Sequence, residues 1–324
     1  MRTPEFWQKN NFLTILLQPI GWLFNLLGLL RRYLFPSTRI GIPVICSGNL
    51  VVGGAGKTPT AMFISNLLGK TRKVAILTTG YRGTLPGPIK VNPRTHTFRE
   101  VGDEALLLAE IATTWVAKDR KEGALAAKAD GAEVIIMDDG FQNPSICKDF
   151  SFIIVDGPYG FGNNKVLPAG PLRETIESGL SRADAVVLIG EDKHAIQNKV
   201  PPHIPVLTAS IIAISPHGLS QVSRLLGFAG IGRPTKFLET LKTLGHDVID
   251  FVEFPDHHNF QESELISLNQ QANEFEAQLV TTKKDYIRLP ENAQAFVKSI
   301  EMTLTWTDEK KLNSLLEQVL PHGD

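Results

Sequence analysis

The chain has 324 residues, enough for a large α/β domain and a second lobe. A formal net charge of -1 excludes a molecule whose whole surface binds polyanions, so a nucleic-acid partner is not expected, although a local basic patch remains open. The only cysteines, Cys46 and Cys147, have no His or Cys neighbour at metal-ligand spacing, which argues against a disulfide framework or a zinc site and fits a reducing cytosol.

The most apolar stretch is 12–30, FLTILLQPIGWLFNLLGLL, barely long enough to span a bilayer. A weak basic flank and the lack of an A-x-A-like site disfavour a signal peptide. Pro19, Gly21 and Gly28 interrupt a spanning helix. Asn11, Thr14, Gln18, Gly21, Asn25, Gly28 and Arg32 recur at steps of three and four, which places them in one narrow helical stripe. The rest, including Trp22 and Phe24, is bulky and apolar. Arg2, Lys9, Arg31 and Arg32 flank it and are expected to meet anionic headgroups. A helix lying in the membrane interface is favoured over a spanning one, and packing on the protein's own core is the plain alternative. Arg31 and Arg32 after the apolar run put the body on the cytoplasmic side.

From residue 40 the pattern is strand, loop, helix, repeated. Strands are expected at 43–47, 73–79, 133–138, 151–156, 185–190 and 204–211, with helices near 58–69, 102–113 and 121–131. Such alternation implies a mainly parallel sheet covered on both faces. A similar unit begins near 225, with a strand and Gly-rich turn, a helix at 234–245, a strand at 247–252, a helix at 262–276 and a strand at 278–282. The expected organisation is an N-terminal membrane-associated helix over 1–36, a P-loop-like nucleotide domain over 37–220, and a smaller α/β lobe over 221–324.

The strongest chemical signal is SGNLVVGGAGKTP at 47–59. Between a strand and a helix, a Gly-rich turn aims several N–H groups at phosphate oxygens, so Gly53, Gly54, Ala55 and Gly56 form the expected cradle. Lys57 reaches the β- and γ-phosphates and Thr58 offers a hydroxyl to Mg2+. Val51 stands where the usual pattern has its first Gly. The second signal is VIIMDDGFQN at 134–143: apolar residues, then acids at a strand's C-terminal end, where one carboxylate orients Mg2+. Asp138 and Asp139 face opposite ways if the strand persists, so the choice between them stays open. These signals imply nucleotide phosphate chemistry with Mg2+, but do not separate kinase, ATPase and GTPase; TKKD at 282–285 is a loose echo of a guanine signature, so the pattern alone does not exclude GTP.

GGAGKTP, TGYRG at 79–83, VGDEA at 101–105, AKDR at 117–120, DDGFQ at 138–142, LPAGPLRE at 167–174, GFAGIGRP at 227–234, FPDHHNF at 254–260 and TTKKD at 281–285 occur in order. Together they resemble the tetraacyldisaccharide 4'-kinase family, from the N-terminal helix to about residue 290. The resemblance implies transfer of the γ-phosphoryl group of ATP to the 4'-hydroxyl of tetraacyldisaccharide 1-phosphate, giving lipid IVA at the cytoplasmic face of the bacterial inner membrane. It also implies an active site between two lobes and no protein partner. Asp103 would be the base for the sugar hydroxyl, and His257 would support it, oriented by Asp256, with His258 as rival. Arg173 and Glu174 would lie near the phosphates. Lys284 and Asp285 match another family motif in which Lys283 replaces an acid. Arg82 and Arg120 are candidate contacts to the 1-phosphate or the nucleotide. Without the resemblance, Asp103 reads as a helix-start acid, and Tyr81 and Phe141 read as packing. His96, His194, His203 and His217 are assigned to surface or loops. A membrane-tethered nucleotide switch and a soluble small-metabolite kinase share the phosphate loop, but the switch leaves LPAGPLRE and the Asp103 and His257 motifs unexplained, and the apolar helix disfavours the soluble kinase.

Overall fold

The computed structural model describes residues 4–214, 219, 223–232 and 234–320. Arg2, His217 and Arg233, and the 220/221 boundary expected from sequence, lie outside them. The chain forms two compact units: 4–211 with 304–320, and 212–303, each over its described residues.

The larger unit begins with α1 (Phe12–Leu34), and continues through β1 (Val44–Gly48), α2 (Lys57–Leu68), β2 (Val74–Thr78), β3 (Ile89–Lys90), α3 (Phe98–Val101), α4 (Asp103–Ala109), β4 (Thr113–Val116), α5 (Arg120–Ala129), β5 (Val134–Asp138), β6 (Phe150–Asp156), α6 (Ile176–Leu180), β7 (Ala185–Ile189) and β8, which starts at Val206 and runs to Ile214. Its strand order is β8-β7-β6-β1-β5-β2-β4-β3. The pairings from β8 to β4 are parallel, and β3 joins antiparallel at the edge. β1, β2, β5, β6 and β7 are buried along their whole length, which is why they read as unbroken apolar runs rather than alternating ones. β1 and β5 are central neighbours in register, Ser47 opposite Asp138, so the phosphate loop and the acids leave the same end of the sheet side by side.

The smaller unit contains β9 (Arg224–Ala229), α7 (Pro234–Thr243), β10 (Asp247–Glu253), α8 (Glu262–Glu274), β11 (Gln278–Thr282), α9 (Lys283–Tyr286), α10 (Glu291–Gln294) and most of β12 (Lys298–Trp306). Its strands run parallel in the order β10-β9-β11-β12. After β12 the chain returns to the larger unit as α11 (Glu309–Glu317). The sequence reading had assigned this stretch to the second lobe. It belongs to the first because Leu304, Leu312 and Leu316 are buried in the core of the larger unit, and Trp306 packs on Phe63 at 5.4 Å between ring centres. β4 was also missed: the helix expected to run to 113 stops at Ala109, and Thr113–Val116 becomes a strand.

α1 starts at a capping box between Asn11 and Thr14 and ends with Arg31 and Arg32 in its last turn. It is long and apolar enough to cross a membrane, yet only 11% of its most apolar window is buried. What is covered belongs to the polar stripe, although Asn11 and Gly28 within it are exposed. Thr14 and Gly21 are buried, and a Cβ on Gly21 would lie 2.9 Å from the Val166 carbonyl. The Thr175 amide donates to Asn25 Oδ1 at 3.3 Å, and Arg32 Nη1 donates to Glu174 Oε2 at 2.7 Å. The sequence expectation of Arg32 at lipid headgroups is therefore corrected: its guanidinium is taken up by a buried carboxylate. The stripe is the face that docks α1 on segment 166–178, while Phe12, Trp22 and Tyr33 on other faces are 80%, 66% and 88% exposed.

Candidate active site

The loop after β1 takes its shape from two glycines with positive φ, Gly53 at 118° and Gly56 at 95°. Gly56 caps α2 without any side-chain hydrogen bond, so the first N–H groups of this 12-residue helix stay available to phosphate. No glycine is needed at Val51. This residue is extended, buried, and bridged to Leu172. Val52 N donates to Pro171 O at 2.8 Å, and Arg173 N to Leu50 O at 2.7 Å. This ladder ties LPAGPLRE to the flank of the phosphate loop. Gly48 serves by its small size, because a Cβ there would meet the Phe141 Cβ at 2.4 Å. Phe141 is accordingly a packing residue, capped by Arg182 over its ring at 4.3 Å.

β5 ends at Asp138, and Asp139 turns into the left-handed region with φ 51°. The two acids thus do not obey strand alternation, and both face the start of α2. Thr58 Oγ1 donates to Asp138 Oδ2 at 3.2 Å. Lys57 Nζ lies 3.7 Å from Asp139 Oδ2 and donates to Gly53 O at 3.2 Å. Arg173 grips both oxygens of Asp139, at 2.7 and 3.2 Å. Burial pushes the Asp138 carboxyl from 3.8 up to about 7, with Glu104 and Asp139 adding to the rise and Lys57 and Thr58 opposing it. Asp139 is also raised by burial, but Lys57 and Arg173 outweigh this and hold it below its usual value. Asp138 Oδ1 is buried and has no hydrogen-bond partner. A half-satisfied carboxylate beside a threonine hydroxyl is a hard-oxygen donor set suited to Mg2+, which binds through few protein ligands together with substrate phosphates. Among the described residues no group of three or more His, Cys, Asp or Glu gathers as an all-protein metal cage.

Asp103 opens α4 and is buried, its Oδ1 accepting from Glu104 N at 2.9 Å. Gly102 before it has φ 87°, and a Cβ there would sit 2.6 Å from the Tyr81 carbonyl. TGYRG therefore packs directly on VGDEA and fixes where α4 begins. Arg82 stays exposed, its guanidinium 5.8 Å from the Tyr81 ring. Arg120 is corrected as a ligand candidate. It is 2% exposed and donates to the Asp138 carbonyl at 3.0 Å, so it braces the strand end from within the fold.

Glu174, expected near the phosphates, is held by protein partners. It is buried in the larger unit, binds Arg32 and Arg182, and accepts from Gln142 Nε2 at 3.1 Å and Ser178 Oγ at 3.1 Å. Burial opposes its ionisation, but Arg182 and Arg32 prevail and lower its pKa. The Arg173–Glu174 pair thus splits, one member toward the phosphate loop and the other toward α1.

In the smaller unit, FPDHHNF separates its two histidines. His258 Nε2 lies 2.9 Å from Glu264, and its ring stacks on Phe254 at 4.7 Å, so it is committed to the local core. His257 adopts φ 59°, donates its N–H to Gly230 O at 2.9 Å, and has its Nε2 3.8 Å from Asp256. The turn is held by Asp285, which accepts from Gly230 N at 3.0 Å and from Thr282 Oγ1 at 2.7 Å, and pairs with Arg288. Arg288 in turn donates to Gly230 O at 2.9 Å and His258 O at 3.2 Å. Asp285 is thus a structural hub, raised in pKa by burial against the pull of Arg288. Lys283 lies 3.6 Å from Glu301, where the basic residue finds a local partner. Sequence reasoning missed Gln142 and Arg288. DDGFQ contained the first without indicating its partners, and only the i,i+3 spacing from Asp285 hinted at the second.

A family model described as tetraacyldisaccharide-1-P 4'-kinase matches residues 13–321. Relatives named tetraacyldisaccharide 4'-kinase include that of Rhodospirillum rubrum, 42% identical over 99% of this chain and 98% of that one. That of Paramagnetospirillum magneticum is 45% identical over 98% of this chain and 99% of that one. A crystal structure of LpxK from Aquifex aeolicus in complex with ATP is 27% identical, with a TM-score of 0.80, covering 96% of this chain and 100% of that one.

The elevated Asp138 pKa gives a stability test. Between 3.8 and about 7 the folded chain keeps a proton that the unfolded chain has lost, so this residue's contribution falls as pH rises through that window. Asp138→Asn should raise the melting temperature of the nucleotide-free protein at pH 8 by roughly a few degrees, and by less at pH 5. Thermal melts at the two pH values check this.

Proposed function

Because the chain belongs to the tetraacyldisaccharide-1-phosphate 4'-kinase family, we propose that it transfers the γ-phosphoryl group of ATP to the 4'-hydroxyl of tetraacyldisaccharide 1-phosphate, giving lipid IVA in lipid A biosynthesis. The observation that carries this reading is the pairing of Lys57 with Asp139 and of Thr58 with Asp138, at the start of α2, in a chain that matches the family over nearly its whole length.

The glycine-shaped loop and the N-terminus of α2 receive the phosphates, and Lys57 tracks the β- and γ-groups. Thr58 and Asp138 would hold Mg2+, which would supply charge neutralisation at the phosphate oxygens. Asp139 orients Lys57 and Arg173, and Arg173 stabilises charge that develops on the transferred group. Asp103 accepts the proton of the 4'-hydroxyl as the new P–O bond forms. Within the smaller unit, His257 is the histidine of FPDHHNF assigned a supporting role in catalysis, whereas the fixed contacts of His258 suit it to holding the turn.

The lipid substrate calls for a membrane location, and α1 supplies it. At about 1.5 Å per residue its 23 residues are as long as a bilayer core is thick. However, α1 is docked from Thr14 to Arg32 along segment 166–178, which carries the buried Glu174 cluster. Spanning would carry those charges into hydrocarbon. The exposed apolar faces therefore lie in the interface at the cytoplasmic face of the bacterial inner membrane.

Labelled ATP and tetraacyldisaccharide 1-phosphate in detergent micelles test the activity. Wild type should yield labelled lipid, while Lys57→Ala and Asp103→Ala should fall by at least about a hundredfold, Asp103→Ala keeping its ATP affinity. A folded, ATP-binding wild type that labels no lipid would refute the assignment. For the membrane, Leu26→Asp with Leu29→Asp should weaken flotation with anionic vesicles by roughly tenfold or more, while ATP binding holds. Unchanged flotation would rule out α1 as the contact.

A further inference from the structure

The docking stripe of α1 and the phosphate loop are joined by an unbroken run of side chains. Arg32 donates to Glu174 Oε2 at 2.7 Å, and Gln142 Nε2 donates to Glu174 Oε1 at 3.1 Å. Gln142 Oε1 accepts from Arg173 Nη1 at 3.3 Å, and the same guanidinium clasps Asp139, whose Oδ2 lies 3.7 Å from Lys57 Nζ. Gln142 also donates to the Asn49 carbonyl, in the phosphate loop itself, at 2.9 Å. Along this run each carboxylate sits between cations. Glu174, at its midpoint, is 2% exposed, so its interactions are weakly screened by water.

Two further observations set Arg32 apart from a plain headgroup contact. Its neighbour Arg31 is exposed, so one arginine of the pair faces outward while the other is spent inside. Arg32 also makes a second contact, Nη2 to Ser178 Oγ at 2.8 Å, and Ser178 in turn donates to Glu174. A planar guanidinium fits that two-point site in a way an ammonium does not.

We propose that Arg32 is a positioning residue for nucleotide binding. By fixing Glu174, it holds the Gln142 carboxamide, and through it sets Arg173 against Asp139. Seating of the lipid-facing helix and readiness of the phosphate loop are then one event, and a molecule whose α1 is lifted away binds nucleotide poorly. This deepens the kinase reading and rests on it.

Arg32→Gln in the full-length, detergent-solubilised protein tests the coupling, with Arg31→Gln as control. Glu174 keeps Arg182 and Ser178 in the variant. The readout is MgATP affinity with no lipid present, which a purely anchoring role would leave unmoved. Arg32→Gln should weaken MgATP about tenfold, on the scale of couplings within one hydrogen-bond network. Arg31→Gln should bind as wild type, and Arg32→Lys should recover only part of the loss. Gln142→Leu, which leaves α1 in place, should weaken MgATP similarly without altering vesicle flotation, and its combination with Arg32→Gln should cost less than the sum. The proposal is overturned if Arg32→Gln and Gln142→Leu bind MgATP as wild type does, or if Arg31→Gln and Arg32→Gln weaken it alike. Failure of the kinase reading looks different, since wild type itself would then label no lipid.

Discussion

Two adjacent carboxylates at the end of one buried strand cannot share one electrostatic environment. At Asp138 and Asp139 the fold separates them. The chain leaves the strand after Asp138, Asp139 turns left-handed, and the ion pairs of Lys57 and Arg173 are made with the second acid. Asp138 is left with a threonine hydroxyl, an unpartnered oxygen and a pKa raised to about 7. A buried carboxylate with a raised pKa and an unpartnered oxygen costs the fold stability as pH rises through that range, the arrangement expected of a cation ligand rather than of a structural ion pair. Around it, Arg120 braces the strand-end carbonyls, β1 in register sets the phosphate loop alongside, and the N-terminus of α4 brings Glu104 close enough to add to the strain.

LPAGPLRE holds these parts together. Its backbone pairs with residues 50–52, its Arg173 reaches Asp139, and its Glu174 receives Arg32 from α1. One short segment therefore faces the phosphate loop on one side and α1 on the other. The smaller unit uses a similar economy. The Asp285–Arg288 pair fixes both Gly230 and His258, and so defines the turn that presents His257.

Much of this was legible in the sequence because its signals are local. Unbroken apolar runs marked the buried strands, and G-K-T after one strand with acids ending another marked residues that the fold brings together, Lys57 and Thr58 beside Asp139 and Asp138. The stripe at steps of three and four was found correctly, but periodicity gives a face without saying what covers it, and what covers it is protein. The local partners of Val51, Arg120 and Glu174 went unforeseen for one reason. Their roles come from contacts with Leu172, the Asp138 carbonyl and Arg32, far away in the chain, and no spacing rule encodes those. The return of residues 304–320 to the first unit escaped notice on the same ground: an amphipathic helix shows that it packs, not on what.

The division of labour between the two acids is the central claim, and ATP titrations of wild type, Asp138→Asn and Asp139→Asn with and without Mg2+ test it most directly. The account predicts that Asp138→Asn binds ATP equally well in both conditions, its metal enhancement gone, and that Asp139→Asn binds weakly in both. An Asp138→Asn protein that retains the full Mg2+ enhancement of wild type would contradict it.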